Sequence, residues 1–275
     1  MLHVGNWLQK MNLNHIIKYI SSHVKQNPKI GLILGSGLDF FTNFIDNKVI
    51  IPYNAIPSFY KTNVKGHKGE FVYGEVNNIP IICARGRFHY YEGYTFDEAG
   101  SIVDIFSSLN TELCIITNSS GCLDTTWRIG SLMLGNKIID FSFIHSSKHI
   151  MHDFKKTKYT DLAMKTAKDS NTQLYCGPYV YTTGPSYETP AEIKEIISIG
   201  GKAVGMSTFP EYLKCIELNQ KFLIISCLTN YGAGLNNAKV SHKDVLLNAN
   251  KSKKVFSKYI LDIIQNIEHQ KIQMK

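Results

Sequence analysis

The stretch KIGLILGSG at residues 29–37 decides the fold class of this chain. Residues 29–34 form a short apolar run typical of a buried strand, and the run leads directly into Gly35-Ser36-Gly37. The two glycines would let the backbone approach an oxyanion, and the serine hydroxyl would add a donor. Phe40 stands where a dinucleotide fingerprint has its third glycine, and no Lys-Ser/Thr pair follows to make a Walker loop. By itself the motif is equally consistent with a tight turn that binds nothing.

Further short apolar runs follow along the chain. They predict strands at residues 71–76, 79–84, 113–117, 132–139, 179–183, 203–206 and 222–228. The first two are joined by Asn77-Asn78, and asparagine tolerates the positive φ that a hairpin turn needs. Residues 140–160 are rich in His, Lys and Ser, so we expect a surface loop there.

Apolar spacing and capping residues mark helices between the strands. Apolar residues within 8–26 recur at i, i+3 and i+4, and residues 96–109 also suit a helix. Thr189-Pro190-Ala191-Glu192 begins another helix, with Thr as N-cap, Pro at the first helical position and Glu closing a capping box. The alternation predicts one α/β domain over residues 1–275, with an N-terminal helical region at 1–28 and a C-terminal helix at 241–275.

Composition limits the classes of protein to which the chain can belong. It has 275 residues, 44% of them apolar and 19% charged, which argues for a globular fold. The formal net charge is +8, but no RNA or DNA motif accompanies it, so we expect a solvated basic surface and no nucleic-acid partner. The spacing of the six cysteines does not resemble a metal site. We expect them to be small core residues of a protein in a reducing compartment. The N-terminus has no apolar signal core, and the longest apolar run is too short to span a bilayer, so we expect a cytoplasmic protein with no membrane partner.

Chemically active side chains recur where predicted strands end, which is where ligands gather in α/β folds. In the segment RGRFHYYEGY at 85–94, Arg87 and His89 project from one face, because side-chain direction in a strand repeats every two residues. An Arg fork beside a His makes a phosphate clamp, although a surface ion pair with Glu92 is an alternative. His67 lies on a glycine-flanked loop, as either a ligand or a surface residue.

Later segments supply aromatic, amide and carboxylate groups. Tyr187 and Glu188, in GPSYETP at 184–190, directly precede the capped helix. An aromatic face beside a carboxylate can stack on a heterocycle and accept hydrogen bonds from its edge. The other candidates at element ends are Met206, Ser207, Thr229, Asn230 and His242.

In this order, the segments resemble the trimeric class of purine nucleoside phosphorylases. The most specific pieces are GRFH and YEGY within 86–94, GPSYET at 184–189, and VGMST at 204–208 followed by Pro210-Glu211. The resemblance implies a single α/β domain with a mixed, barrel-like β-sheet flanked by helices, the nucleoside phosphorylase fold, working as a homotrimer. It implies a pentosyltransferase of purine salvage that splits purine ribo- or deoxyribonucleosides reversibly into base and pentose 1-phosphate. The only co-substrate implied is inorganic phosphate, with no metal or organic cofactor.

The resemblance also implies roles for individual residues. Phosphate would be held by Ser36, His67, Arg87, His89, Ser207 and the backbone amide of Ser119. The pentose would contact Tyr91, Met206 and His242. The purine would contact Tyr187, Glu188, Val204, Thr229 and Asn230. The predicted catalytic residues among them are Asn230, Glu188 and His89.

Residue 230 bears on which purine is accepted. The related methylthioadenosine phosphorylases usually carry Asp there, which can accept from the 6-amino group of adenine. Asn230 beside a Glu188 that requires an N1–H donor favours inosine and guanosine, because adenine presents a lone pair at N1. Xanthosine remains open, as do a methylthioadenosine phosphorylase of the same fold and a non-catalytic nucleoside-binding protein.

Three segments depart from the family pattern. Residues 118–121 read Asn-Ser-Ser-Gly in place of Asn-Ala-Ala-Gly, and Phe209 is bulkier than the usual apolar residue. Residues 136–160 lack the family's Asp-His-Ile-Asn run and are shorter. Phe143 falls near the aromatic that the family lends to a neighbouring subunit's sugar site, so it is a candidate for that contact.

Overall fold

The computed structural model of the chain describes residues 11–62, 68–235 and 242–273, with the backbone alone at 242–251 and 269–273. The strands are β1 (Ile30–Ile33), β2 (Asp46–Pro52), β3 (Glu70–Val76), β4 (Ile79–Arg85), β5 (Leu113–Cys122), β6 (Leu132–Asp140), β7 (Ile150–Asp153), β8 (Leu174–Tyr181), β9 (Ala203–Gly205) and β10 (Phe222–Tyr231). The helices are α1 (Leu13–Ser21), α2 (Phe96–Ala99), α3 (Ser101–Ser108), α4 (Lys158–Asp169), α5 (Pro190–Ser198), α6 (Phe209–Glu217) and α7 (His242–Gln273). Within these residues, no helix is both long and apolar enough to span a bilayer.

Five strands close on themselves to form the centre of the fold. β5 pairs in parallel with β10, β10 antiparallel with β6, and β6 in parallel with β8. β8 then pairs in parallel with β9, which returns antiparallel to β5. This mixed barrel has helices around it, so the predicted α/β class and barrel-like sheet are confirmed.

The remaining strands extend the sheet away from the barrel. The order continues from β5 through β1, β4 and β3 to β2, while β7 pairs with β6. The predicted hairpin is confirmed as β3 and β4, with Val76 opposite Ile79. Asn77 and Asn78 join the two strands at φ 50° and 62°, as the turn chemistry required.

Helices cover both faces of the sheet with apolar side chains. α1 buries Ile16 and Ile20, which confirms an amphipathic helix within residues 8–26. On the other face, α7 contributes a buried stripe that includes Tyr259, Ile260 and Ile263. The Thr189 hydroxyl accepts from the amide of Glu192, so the predicted capping box begins α5.

Two strands run further than their apolar sequence predicted. β5 continues to Cys122 and β10 to Tyr231, so residues 118–121 and 229–230 lie inside strands instead of after them. The pairing of Asn230 with Gly121 shows why, because barrel closure supplies backbone partners for these residues. Ser119, Ser120 and Asn230 line a cavity, whereas Asn118 and Thr229 are buried and hydrogen-bonded to neighbouring side chains.

Three other expectations were wrong in part. Residues 140–160 are not a loop throughout, because they contain β7 and the start of α4. The helix at 96–109 is divided at Gly100, where an added Cβ would lie 2.9 Å from the carbonyl oxygen of Pro210. Cys176 is exposed, whereas the other five cysteines are buried.

Candidate functional site

A cavity of about 130 Å³ opens at the side of the barrel formed by β5, β9 and β10, next to the segments that follow β1 and β4. Eleven of the predicted site residues lie on its wall: Ser36, Arg87, His89, Tyr91, Ser119, Tyr187, Glu188, Val204, Met206, Ser207 and Asn230. Tertiary structure thus brings together six separate segments of the sequence.

The turn after β1 is pinned to β5. The Gly35 amide donates to Oγ1 of Thr117 at 3.1 Å, and the Ser119 hydroxyl donates to the Ser36 carbonyl at 2.7 Å. A Cβ on Gly35 would lie 2.6 Å from the Cα of Asn118, so only glycine lets the two backbones approach this closely. The turn therefore presents Ser36 to the cavity in a fixed position.

Arg87 lies on the cavity wall but is 1% exposed. Its Nε donates to Oε1 of Glu211 at 2.8 Å, and its Nη1 donates to the Thr117 carbonyl at 2.7 Å. Nη1 also lies 3.1 Å from Oγ of Ser207. These contacts hold a planar cation and a hydroxyl side by side, which is the arrangement that oxyanions bind.

His89 is oriented by Glu92. Nδ1 of His89 lies 3.1 Å from Oε2 of Glu92, which also accepts from the His89 amide at 3.0 Å. The ring of His89 stacks on Tyr91 with centroids 4.8 Å apart. The contact with Glu92 that was an alternative for this segment therefore exists, but it is made by His89, is largely buried and lies beside the cavity. A carboxylate on Nδ1 favours the tautomer in which Nε2 is available to a ligand.

Ser207 precedes α6 in a tight turn. Thr208 has φ 79° and ψ −38°, and the Phe209 amide donates to the Ser207 carbonyl at 2.9 Å. This γ-turn conformation is costly for a residue with a branched side chain. The Asn118 Nδ2 donates to Oγ1 of the fully buried Thr208 at 2.9 Å, so β5 holds the turn in place.

Glu188 and Thr182 form a pair on another part of the wall. The Thr182 hydroxyl donates to Oε1 of Glu188 at 2.6 Å. Burial raises the pKa of the Glu188 carboxyl, and the hydrogen bond from Thr182 opposes that shift. The carboxylate remains an acceptor for donors in the cavity.

Asn230 is held by its neighbours in β10. Its Oδ1 accepts from the Thr229 hydroxyl at 2.9 Å, and its Nδ2 donates to the Tyr231 carbonyl at 3.0 Å. These two bonds fix the orientation of the amide, and Nδ2 keeps one further hydrogen that it can donate to a ligand. Thr229 was predicted to line the base pocket, but it is 0% exposed and does not lie on the cavity wall. It lies behind Asn230 and orients it.

Three predicted residues are not placed at the cavity. His67 lies outside the described residues, and His242 is described only as the backbone at the start of α7. Phe143 is 46% exposed, packs edge-on against Phe141 and is not among the residues that line this cavity.

Sequence reasoning missed three residues that shape the site. Thr182 and Thr117 had no local signal, because threonine is common in strands. Glu211 was quoted only as part of a motif. A carboxylate in the first turn of a helix usually stabilises the positive end of the helix dipole. Only the burial of Glu211 beside Arg87 reveals that it has a different role.

The cavity therefore combines two kinds of chemistry. The groups from Arg87, Ser207 and His89 suit an oxyanion, whereas the Glu188 carboxylate and Asn230 amide suit the edge of a heterocycle. The aromatic ring of Tyr187 and the apolar side chain of Val204 add surfaces for a flat ring.

Known proteins share the sequence and the fold of this chain. Residues 29–265 match the model of the phosphorylase superfamily. The chain is 34% identical over 271 residues to purine nucleoside phosphorylase 1 of Geobacillus stearothermophilus, covering 94% of this chain and 99% of that protein. It is 35% identical to purine nucleoside phosphorylase 1 of Bacillus subtilis, covering 94% and 100%. The chain belongs to this superfamily, among its purine nucleoside phosphorylases.

A solved structure of the purine nucleoside phosphorylase family agrees with the fold. The Schistosoma mansoni enzyme in complex with inosine matches with a TM-score of 0.82 and 25% identity, covering 92% of this chain and 95% of that one. In that structure, the shared fold carries a nucleoside ligand.

Proposed function

We propose that this chain catalyses the reversible phosphorolysis of inosine and guanosine, as ribo- or deoxyribonucleosides, to the free base and a pentose 1-phosphate. The observation that carries the proposal is that one cavity holds both Arg87 with Ser207 and Glu188 with Asn230. Membership of the purine nucleoside phosphorylases supports it.

The reaction replaces one bond at the anomeric carbon by another. The bond from C1′ to N9 of the purine breaks, its electron pair leaves with the base, and a phosphate oxygen bonds to C1′. Phosphate is a weak nucleophile, so the sugar acquires oxocarbenium character as the base departs. The protein's task is to position the reactants and to stabilise charge, and it needs no covalent intermediate.

Arg87, Ser207, Ser36 and His89 would position the phosphate. The Arg87 guanidinium supplies a fixed positive charge, and the hydroxyls donate to phosphate oxygens. The pairing of His89 with Glu92 favours a ring that turns Nε2 towards the phosphate. His67, together with the backbone amide of Ser119, completes the proposed set.

Glu188 and Asn230 would stabilise the departing base, with Tyr187 and Val204 against its faces. Nδ2 of Asn230 donates to N7, where negative charge develops, while Glu188 accepts from N1–H. The pentose would lie between the phosphate-binding and purine-binding groups, in contact with Tyr91, Met206 and His242. Adenosine lacks N1–H and would leave the carboxylate facing a lone pair, so it is the poorer substrate.

The deciding experiment measures base release from inosine, guanosine, xanthosine and adenosine, each with and without inorganic phosphate. We expect release from inosine and guanosine only when phosphate is present. Dialysis against EDTA should leave this release unchanged, because the proposed reaction uses no metal. Release without phosphate would indicate a hydrolase. Binding without release would indicate a non-catalytic nucleoside-binding protein, and cleavage of methylthioadenosine alone would keep the fold but overturn the specificity.

Three finer properties belong to the same proposal: a homotrimer, a cytoplasmic location and a part in purine salvage. The trimer is proposed from the resemblance to the trimeric class, and the exposed Phe143 leaves an aromatic side chain open to contact with a neighbouring subunit. Sedimentation equilibrium tests the assembly, and a monomer with full activity would contradict it. The free cysteines of the described chain are consistent with a reducing compartment.

A further inference from the structure

Glu211 is a buried charge that does not line the cavity. It lies in the first turn of α6 and is 1% exposed, as is its partner Arg87. The pair is joined by the bond of 2.8 Å between Nε and Oε1. We propose that Glu211 is a positioning residue, which holds the Arg87 guanidinium in the orientation that binds phosphate. The inference rests on the proposed function, because it assigns phosphate to Arg87.

The contacts around Arg87 show how orientation is set. A guanidinium bound through one nitrogen can still tilt, whereas contacts at Nε and Nη1 together fix its plane. Glu211 supplies the contact at Nε, and the Thr117 carbonyl supplies the contact at Nη1. Removing Glu211 would take away the contact at Nε, one of the two that together fix the plane.

Helix α6 is a rigid support for this carboxylate. Lys214, one turn further along α6, forms ion pairs with Asp97 on α2 and with Asp104 on α3. Ser207, which borders the cavity and accepts from Nη1, directly precedes the same helix. One anchored element therefore sets the positions of both the cation and the hydroxyl of the phosphate site.

Two possible roles for Glu211 predict opposite changes in the KM for phosphate when the carboxylate is neutralised. If the carboxylate only reduced the positive charge of the site, neutralising it would strengthen phosphate binding and lower the KM for phosphate. If it orients Arg87, neutralising it would weaken a charge-assisted hydrogen bond and raise that KM. The direction of change therefore separates orientation from charge.

The test uses the full-length protein and compares Glu211→Gln with Glu217→Gln. Both changes neutralise a carboxylate on α6, but the Glu217 side chain is partly exposed and pairs with Lys214, away from Arg87. We measure kcat and the KM for phosphate at saturating inosine, the KM for inosine, and the dissociation constant of inosine without phosphate. Glu211→Gln keeps the shape of the side chain, so it is the variant that best preserves folding. Glu211→Ala is measured as well, provided that it folds.

In Glu211→Gln we expect the KM for phosphate to rise on the order of tenfold, with inosine binding changed less than about twofold. Glu217→Gln should match the wild type, and Glu211→Ala should be worse than Glu211→Gln, because the glutamine oxygen can still accept from Nε. In an Arg87→Lys background, Glu211→Gln should have little further effect, since Lys has no Nε–H to orient.

A lower or unchanged KM for phosphate in Glu211→Gln would overturn the inference. Equal rises in the KM values for phosphate and inosine would do the same, since they would show a general structural defect. Loss of folding in Glu211→Gln would also count against it, because it would make Glu211 a stability residue. If the wild type itself shows no phosphate-dependent release, the proposed function fails first, before any variant is compared.

Discussion

The hydroxyl of Thr182 lies 2.6 Å from Oε1 of Glu188 and donates to it, so a strand-end threonine orients the carboxylate that we propose binds the purine. The two residues are six positions apart, on either side of the turn that leads into α5. Burial raises the pKa of Glu188, and Thr182 limits this rise by bonding to the ionised form. The pair therefore sets the pH range in which Glu188 can accept from N1–H.

The first prediction concerns this pH range. Activity towards inosine needs the ionised carboxylate, so it is lost as pH falls through the raised pKa of Glu188. Thr182→Val removes the hydrogen bond that lowers that pKa, so the acid limb of the kcat/KM profile for inosine should move to higher pH. Thr183→Val, at the adjacent position, is the control and should leave the limb in place. An unmoved limb in Thr182→Val would show that Glu188 does not control it.

The second prediction concerns the choice of base. Asn230→Asp replaces the Nδ2 donor by an acceptor, so kcat/KM for inosine should fall about 10- to 100-fold, and the ratio of adenosine to inosine cleavage should rise. Asn230→Ala removes the donor without adding an acceptor, so inosine cleavage should fall while adenosine gains nothing. Steady-state kinetics with both nucleosides measures this. A similar ratio in the two variants would show that residue 230 does not choose the base, and unchanged inosine cleavage in Asn230→Ala would count against the assignment of N7 to Asn230.

The third prediction separates two neighbouring arginines. Arg87 lies on the cavity wall, whereas Arg85 pairs with Glu70 at 2.7 Å and with Asp39 at 3.3 Å and does not line the cavity. Arg87→Lys should raise the KM for phosphate about 10- to 100-fold, because an ammonium cannot replace the bidentate fork. Arg85→Lys should leave this KM unchanged. Equal effects from the two changes would place the phosphate elsewhere.

The fourth prediction tests the close approach of β1 and β5. A Cβ on Gly35 would meet the backbone of Asn118 at 2.6 Å, and backbone cannot rotate away. Gly35→Ala should therefore lower the free energy of unfolding by about 1–3 kcal/mol and raise the KM for phosphate, because the turn that carries Ser36 must shift. Urea denaturation and phosphate kinetics measure the two effects. Ser36→Ala is the control, since it removes the hydroxyl but should leave the free energy of unfolding nearly unchanged.

Local chemistry was enough to predict several elements. The Asn77-Asn78 hairpin and the Thr189–Glu192 capping box depend on residues within a few positions of each other, so their signals lie wholly in the local sequence. The strand that ends in Gly35-Ser36-Gly37 was likewise visible as an apolar run before glycine. The segments that line the cavity could be recognised by their motifs, although not from periodicity.

Other features were decided only when distant parts of the chain met. Local sequence suggested that β5 and β10 end at Asn118 and Thr229, but pairing across the closed barrel carries both strands past these polar residues. Thr229 has no property that distinguishes lining the cavity from orienting Asn230, and its burial settles the matter.

The ion-pair partner of Arg87 shows most clearly what sequence alone could not predict. The sequence by itself determined that residues 85–94 carry an arginine and a histidine on one face of an extended segment, because side-chain alternation is local. The sequence left Glu92 open as a partner for any one residue of this segment. Glu92 contacts His89, whereas Arg87 pairs with Glu211, 124 positions away. Only tertiary structure decided this, because a buried cation needs a buried counter-charge, and packing of α6 against the barrel determines which carboxylate reaches it.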